Sequence, residues 1–311
     1  MARPRNLVLL AAVAGMWPGL SCADSLIDTL VQGFAHSEFE FMRAQSNAPF
    51  PPLAALIVSG YQESSFRRPD GASSDVTFEQ QSVSQYALVP IPIGTRDAIV
   101  TGEWLSWTHF ELQNARRDNL DVFSVAIPIG WIRQQSRNWQ VAAFVAPLGH
   151  RTPDDDWYWQ TLGGIFARNV RGDRFAWIVG AYFDVSPLED FYTPYLGAVY
   201  IVDEHWTLNG VMPWPSITYA PTTDTLLRLG VAPSGASWSV EPGERRPRVD
   251  LSTWNFGFAA EHRLYRSLWM GVEIGASCLR GLTLVGSHWE EPETRLENTG
   301  YALITLNFRP G

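Results

Sequence analysis

The chain has 311 residues, a formal net charge of −9 at pH 7 and 14 tryptophans. The sequence contains no lysine, and the acidic surplus disfavours binding to the negatively charged backbone of nucleic acids. No nucleic-acid partner is therefore expected.

An export signal is predicted at residues 1–23. Two arginines precede an apolar run from Leu7 to Met16, which is too short for a membrane-spanning helix of roughly 20 residues. Small residues follow at Ser21 and Ala23, the pattern that a signal peptidase recognises, so we expect cleavage after Ala23. An uncleaved anchor and a lipoprotein modified at Cys22 are the alternatives. Cleavage would leave 311 − 23 = 288 residues with a net charge of 21 − 32 = −11.

Residues 24–53 differ from the remainder of the chain. Ile27, Leu30 and Val31 suggest a short amphipathic turn, and a proline-rich stretch follows at 49–52. We expect an N-terminal extension that either fills the interior of the domain formed by residues 54–311 or extends outside it.

Residues 54–311 alternate between apolar and polar or small side chains. Trp254, Phe256 and Phe258 share one face of a strand, whereas Asn255 and Glu261 lie on the other. The mature chain has no run of 18 apolar residues, so it cannot cross a bilayer as helices. Strands of this length with an apolar outer face are typical of transmembrane β-barrels.

Tryptophans fall near the predicted strand ends, as in the aromatic girdles at the two bilayer interfaces. They are Trp107, Trp131, Trp139, Trp157, Trp159, Trp206, Trp254, Trp269 and Trp289. The alternative is that these rings fill the core of a soluble exported β-protein that binds an apolar ligand.

The candidate strands number thirteen. They lie at 54–66, 75–89, 98–112, 120–134, 138–148, 157–169, 174–185, 194–202, 205–212, 225–240, 251–264, 268–285 and 300–308. Because single-chain bacterial barrels have an even number of strands, either 205–212 belongs to a neighbour or 34–42 supplies another strand. The sequence therefore predicts an all-β, up-and-down antiparallel transmembrane barrel of about 12 strands, with 14 as the alternative.

Four charged residues are predicted to line the lumen, because they alternate with apolar, outward residues. They are Arg228, Glu261, Arg263 and Glu273. They could set ion selectivity or hold a ligand, or they could form a buried structural network that neutralises itself.

No catalytic or metal site is predicted. The sequence His36-Ser37-Glu38 precedes the barrel, and adjacent residues on a strand point to opposite faces. The acidic run 154–156 lacks the ligand spacing of a calcium loop, and the histidines lack the HExxH spacing of a zinc site. We expect no cofactor and no enzymatic activity.

The end of the chain carries a recognisable pattern. Ala302, Ile304, Leu306 and Phe308 alternate on one face, and the chain stops three residues later. This resembles the C-terminal strand that the barrel-insertion machinery recognises. Together with the strand order and the stretch 205–221 (HWTLNGVMPWPSITYAP), it makes most of the mature chain resemble an uncharacterised family of predicted bacterial outer-membrane β-barrel proteins. The resemblance implies the outer membrane of a Gram-negative bacterium, with its lipid as the surroundings, and no particular activity.

The expected function is accordingly porin-like passage of small solutes or a structural role. The alternatives are an outer-membrane enzyme acting on lipid or lipopolysaccharide and the soluble binding protein. The solute and the oligomeric state do not follow from the sequence.

Overall fold

The computed structural model describes residues 37–39, 46–67, 73–113, 119–153, 157–186, 190–239, 248–286, 289–290 and 294–309. The predicted signal peptide lies outside these ranges. Within them every regular element is a β-strand, and no helix is long and apolar enough to cross a membrane.

Seventeen strand segments follow one another along the chain. They are β1 (Ala54–Arg67), β2 (Ser73–Ile93), β3 (Asp97–Gln113), β4 (Asn119–Ala126), β5 (Ile129–Gln134), β6 (Trp139–Arg151), β7 (Tyr158–Arg171), β8 (Phe175–Val185), β9 (Asp190–Ile201), β10 (Trp206–Asn209), β11 (Ser216–Thr222), β12 (Thr225–Ser239), β13 (Arg248–Tyr265), β14 (Leu268–Gly286), β15 (Trp289–Glu290), β16 (Thr294–Arg295) and β17 (Thr299–Phe308).

The sheet closes on itself. The last strand, β17, pairs antiparallel with β1 from Ala54 opposite Phe308 to Tyr61 opposite Tyr301. The strands between them pair with their neighbours in sequence, which gives an up-and-down barrel. Pairing β1 with β17 removes the two edges that an open sheet would expose, the condition that a bilayer imposes on a strand-built protein. Among the described ladders, β9 pairs with β10 only at Val199–Ile201 and β12 pairs with β11 only up to Gly230.

Fourteen strands form the barrel, which corrects the predicted number of about 12 and agrees with the alternative of 14. The segments β4 and β5 both lie between β3 and β6 and form one strand, interrupted at Pro128. A proline nitrogen has no hydrogen to donate to the ladder. The two-residue segments β15 and β16 only extend the pairing of β14.

The strand that the sequence did not predict is β11. Proline at 215 precedes it and proline at 221 lies within it, so the segment reads as a loop. The short segment 205–212, which the sequence analysis could have assigned to a neighbouring strand, contains a strand of its own, β10. It pairs with β11 as a hairpin from Trp206 opposite Tyr219 to Asn209 opposite Ser216. Residues 37–39, the described part of 34–42, are not in a strand.

The two ends of the barrel differ in their connections. At the end that carries Leu53 and Arg309 the strands are joined by short turns at 94–96, 135–138, 172–174, 202–205, 223–224 and 266–267. The connections at the other end are mostly longer, such as the eight residues of 240–247 between β12 and β13 and the twelve of 287–298 between β14 and β17. We call these the short-turn end and the long-loop end.

Side chains alternate between the two faces of the sheet as predicted. On β13 and β14, Phe258 is 47% exposed and Ile274 is 59% exposed on the outer face, whereas Asn255 and Ala259 are buried on the inner face. Trp131, Trp139 and Trp206 are exposed near the short-turn end and Trp159 near the long-loop end. Trp269 departs from the predicted girdle, because it is only 2% exposed and lies on the inner face.

The main apolar cluster lies inside the barrel toward the long-loop end. It consists of Phe78, Phe110, Val122, Leu251 and Leu296. The buried guanidinium of Arg280 lies 5.0 Å from the ring centre of Phe78 and donates a hydrogen bond of 2.6 Å to Ser64 Oγ. These side chains fill part of the interior on the long-loop side of the polar residues that are described in the next subsection.

Candidate functional site

Five polar side chains meet on the inner face of β1, β12, β13, β14 and β17, and we call them the lumen cluster. Arg228 Nη2 donates to Glu273 Oε2 at 2.6 Å, and the Tyr301 hydroxyl donates to Glu273 Oε1 at 2.6 Å. The rings of Tyr61 and Tyr301 stack with centroids 5.6 Å apart. Asn255 Nδ2 donates to the Tyr61 hydroxyl at 2.8 Å. The Glu273 carboxylate, 14% exposed, is thus held by a cation and a hydroxyl.

Small residues make room for this cluster. Arg228 and Glu273 are both register partners of Ala259, over which their side chains meet. A Cβ atom on Gly257 would lie 2.6 Å from Glu273 Oε1, and one on Gly275 would lie 2.7 Å from Tyr301 Cε1. Glycine is sterically required at 275, where an added Cβ would also lie 2.1 Å from the backbone carbonyl oxygen of Phe256. At 257 an added Cβ would displace the hydrogen-bonded ends of the Tyr301 and Glu273 side chains.

A second ionic group lies nearer the short-turn end. The Glu261 carboxylate accepts hydrogen bonds from Arg309 Nη2 and, at 2.8 Å, from Asn307 Nδ2. Arg309 is 7% exposed and Glu261 is 11% exposed. A buried pair of this kind is stable only while both partners are present, since either charge alone would be left desolvated.

Trp269 lies between two arginines of the same region. The guanidinium carbons of Arg309 and Arg263 lie 5.6 Å and 5.9 Å from its ring centre. Arg263 also forms an ion pair with Asp224 in the turn between β11 and β12. The indole thus serves as a cation–π platform in the interior rather than as a membrane anchor.

The described residues of the N-terminal extension contact this end of the barrel. Arg309 Nη1 donates to the carbonyl oxygen of Phe50 at 2.7 Å. The backbone N–H of Asn47 donates to the carbonyl oxygen of Glu204 at 2.7 Å. Glu38 pairs with Arg96 at 2.7 Å in the turn between β2 and β3. The turns that hold Glu38 and Asn47 are separated by β3 to β9, so they lie on nearly opposite sides of the short-turn end.

The turn that receives Asn47 is itself stabilised by a carboxylate. The backbone N–H groups of Trp206 and His205 both donate to Asp203 Oδ1 at 2.8 Å. These two bonds favour the ionised carboxylate and lower the pKa of Asp203 below its ordinary value. The turn at 202–205 is therefore preorganised for the backbone contact at Glu204.

Aromatic side chains form the opposite wall of the interior. Phe144 and Phe166 stack with centroids 6.0 Å apart, and Tyr195 meets Phe166 edge-on at 4.9 Å. These residues come from β6, β7 and β9, whereas the lumen cluster comes from β12 to β14, β17 and β1. The strands β6 and β12 also approach each other across the interior. One wall of the interior therefore carries the charged cluster and the other carries the aromatic residues.

All four charged residues singled out by the sequence have ionic partners, of which Asp224 lies in a turn and the others lie on the inner face. Arg228 pairs with Glu273, whereas Glu261 and Arg263 pair with Arg309 and Asp224. Sequence reasoning missed the two tyrosines and Arg309. The signal for Arg309 was present, since the alternation that puts Asn307 inside also puts Arg309 inside.

A histidine and a serine also meet on the inner face. His150 Nδ1 lies 2.8 Å from Ser124 Oγ, and both residues are buried. A nucleophilic serine must be open to its substrate as well as bonded to a base, and here the protein covers both side chains. Among the described residues no group of three or more histidine, cysteine or acidic side chains is placed to hold a metal ion.

Comparison with known proteins gives distant structural likenesses. No family model and no curated protein matches the sequence. An outer membrane channel from Pseudomonas putida F1 is 11% identical, with a TM-score of 0.47 over 83% of this chain and 97% of that chain. A Pseudomonas aeruginosa FadL homologue is 8% identical, with a TM-score of 0.41 over 83% and 90% of the two chains. The P. putida toluene transporter TodX is 8% identical, with a TM-score of 0.32 over 84% and 91%.

The class of the protein follows from its own strand pairing. A closed antiparallel barrel of 14 strands, apolar outside and ion-paired inside, is the architecture of transmembrane β-barrels. The same arrangement would be unstable in water, because the exposed aliphatic and aromatic side chains of the outer face have no protein surface to pack against.

Proposed function

We propose that the protein is a channel of the bacterial outer membrane that passes small solutes, with the lumen cluster as its selective constriction. The observation that carries this proposal is the Arg228–Glu273 pair on the inner face of a closed barrel whose opposite wall is aromatic. An ion pair and a tyrosine hydroxyl can exchange hydrogen bonds with a polar solute, while Phe144 and Phe166 offer an apolar surface to its other side.

The outer-membrane location and orientation are part of the proposal. Bacterial barrels place short turns on the periplasmic side and longer loops outside. The short-turn end, with Leu53 and Arg309, accordingly faces the periplasm. The N-terminal segment, residues 37–39 and 46–53, then lies on the periplasmic mouth.

The experiment is conductance of the purified protein in planar bilayers, comparing the wild type with Glu273→Gln. Removing the carboxylate leaves Arg228 without its ionic partner, so we expect selectivity to shift toward anions and unitary conductance to change. The control is Glu79→Gln, which makes the same chemical change on the outer face of β2 and should leave both quantities unaltered.

Two results would overturn this assignment. A wild-type protein that is folded but does not conduct would leave only the structural role. Unchanged selectivity in Glu273→Gln would remove the lumen cluster from the conduction path. Altered lipid acylation in a deletion strain, together with absent conductance, would instead favour the enzyme that acts on lipid.

A further inference from the structure

The outer face of β2 and β3 carries a polar pair where an apolar surface is expected. Gln85 Nε2 donates to Glu103 Oε1 at 3.2 Å. On β3 the inner face holds Ala98 and Ser106, both buried, whereas Ile99 and Glu103 are exposed on the opposite face. The carboxylate therefore points away from the barrel interior.

The pair lies within the apolar band rather than at its border. Outward aliphatic side chains surround it, and Ile127 is 52% exposed and Ile129 is 50% exposed on the adjoining strand. At about 3.3 Å per residue and a strand tilt of about 40°, Glu103 lies roughly 15 Å above Asp97 and roughly 10 Å below Trp107 along the barrel axis.

Polar contacts mark the two borders of the band on these strands. Near the short-turn end Arg133 pairs with Asp97 at 3.3 Å. Toward the long-loop end His109 pairs with Asp121 at 2.8 Å, and the His109 ring stacks on Trp107. Glu103 lies between these borders, close to the middle of the bilayer that the channel proposal requires.

A carboxylate facing lipid at this depth is destabilising, because the hydrocarbon offers neither hydration nor hydrogen bonds. The outer face of β13 and β14 shows the usual solution, with Phe256, Phe258, Val272 and Ile274 at comparable heights. The polar pair on β2 and β3 calls for a partner surface that supplies the missing hydrogen bonds.

We propose that this lateral patch, Gln85 and Glu103 with the small neighbours Ala87 and Thr101, packs against the same patch of a second copy of the chain. The inference rests on the membrane placement of the proposed function but not on conduction. A two-fold axis along the membrane normal would bring each patch against its copy at the same depth.

The chemistry of the patch is self-complementary. The amide of Gln85 has two N–H groups, of which the bond to Glu103 uses one, and the carboxylate can accept more than one hydrogen bond. Under the two-fold operation, Gln85 of each copy can donate to Glu103 of the other. Ala87, the register partner of Glu103, and Thr101 are small enough for two sheets to approach closely.

The test measures self-association in lipid. Labelled protein is reconstituted at increasing protein-to-lipid ratios, and the dimer fraction is followed by energy transfer between copies. In the double variant Gln85→Leu/Glu103→Leu we expect dimerisation to weaken roughly tenfold, as the loss of a few interfacial hydrogen bonds implies. The matched control is Val179→Ala, on the outer face of β8, which should dimerise like the wild type.

Cross-linking locates the contact independently. In a background without Cys278, Leu105→Cys beside the patch should be linked between copies by a short bismaleimide, whereas Val179→Cys should not. The double leucine variant should stay heat-modifiable on gels and no less resistant to urea as a monomer, since it removes a polar pair from lipid.

The outcomes separate this proposal from the channel. Three results would each overturn the dimer. The wild-type protein could be monomeric at every protein-to-lipid ratio, or the double leucine variant could associate as the wild type does. Cross-linking through Val179→Cys could also be as strong as through Leu105→Cys. Cross-linking in cells to a different outer-membrane protein only would overturn the dimer as well. Loss of conductance with an intact dimer would overturn the channel alone, and a protein that fails to insert would overturn the membrane placement common to both.

Discussion

Among single residues, the lumen cluster depends on two glycines of the neighbouring strands, which have no side chain. Gly257 and Gly275 leave the space that the Tyr301 ring and the Glu273 carboxylate fill. Two consecutive strands thus contribute backbone alone at the point where β17 contributes a large side chain. The position of the charge inside the barrel is set by this fit as much as by the ion pair with Arg228.

This fit makes Gly257→Ala a sensitive test. The added Cβ would lie 2.6 Å from Glu273 Oε1 and would press on the Tyr301 hydroxyl. We expect a loss of about 1–3 kcal/mol in the free energy of unfolding, the usual effect of overpacking, measured by urea titration into lipid vesicles. Gly60→Ala, where an added Cβ meets nothing within 4 Å, should be close to neutral. Equal destabilisation by the two substitutions would contradict the steric explanation.

At the scale of elements, the N-terminal segment and the last strand meet at Arg309. This side chain holds Glu261 on β13 and the carbonyl oxygen of Phe50 on the segment. Because Arg309 directly follows β17, the strand that closes the barrel also fixes the segment at the short-turn end. The segment, the last strand and β13 are therefore coupled through one guanidinium.

Arg309→Ala should expose that coupling. Glu261 would keep its charge in a largely buried position without a cation, so we expect a loss of about 3 kcal/mol or more in unfolding free energy. Limited proteolysis should also cleave near Phe50 faster than in the wild type. Adding Glu261→Gln should restore much of the stability but not the protection of Phe50. A segment as protected in Arg309→Ala as in the wild type would show that other contacts hold it.

At the scale of the whole molecule, the barrel is completed by pairing the first strand with the last. Phe308 lies opposite Ala54 on β1 and opposite Leu268 on β14, at the start of both ladders. We also propose that the barrel-insertion machinery recognises this strand. Recognition would have to occur before the barrel closes, which gives a second reason for an aromatic residue at position 308.

Phe308→Ser should separate assembly from stability. We expect a several-fold lower yield of heat-modifiable protein in the outer membrane, because recognition of the last strand would be impaired. Protein refolded from urea into vesicles should close almost normally, since the backbone ladder remains. Leu306→Ser, on the same face two residues earlier, is the control. A normal yield in cells would remove Phe308 from the recognition signal.

The alternation of faces and the short turns could be predicted from the sequence, because both arise from neighbouring residues. It placed Phe256 and Phe258 outside and Glu261 and Glu273 on the opposite face. The same alternation, which puts Met270 outside, already implied that Trp269 lies inside, against its assignment to the girdle. The alternation of faces therefore predicted the position of Trp269 correctly, whereas its assignment to the aromatic girdle was wrong.

The number of strands and the partners of the charged residues became visible in the folded barrel alone. The strand β11 is stabilised by its ladders with β10 and β12, not by the propensity of its proline-flanked sequence. The pairs of Arg228 with Glu273 and of Glu261 with Arg309 join positions more than 40 residues apart. Both depend on the register of strands around a closed ring, which is a non-local property that no segment of the chain encodes alone.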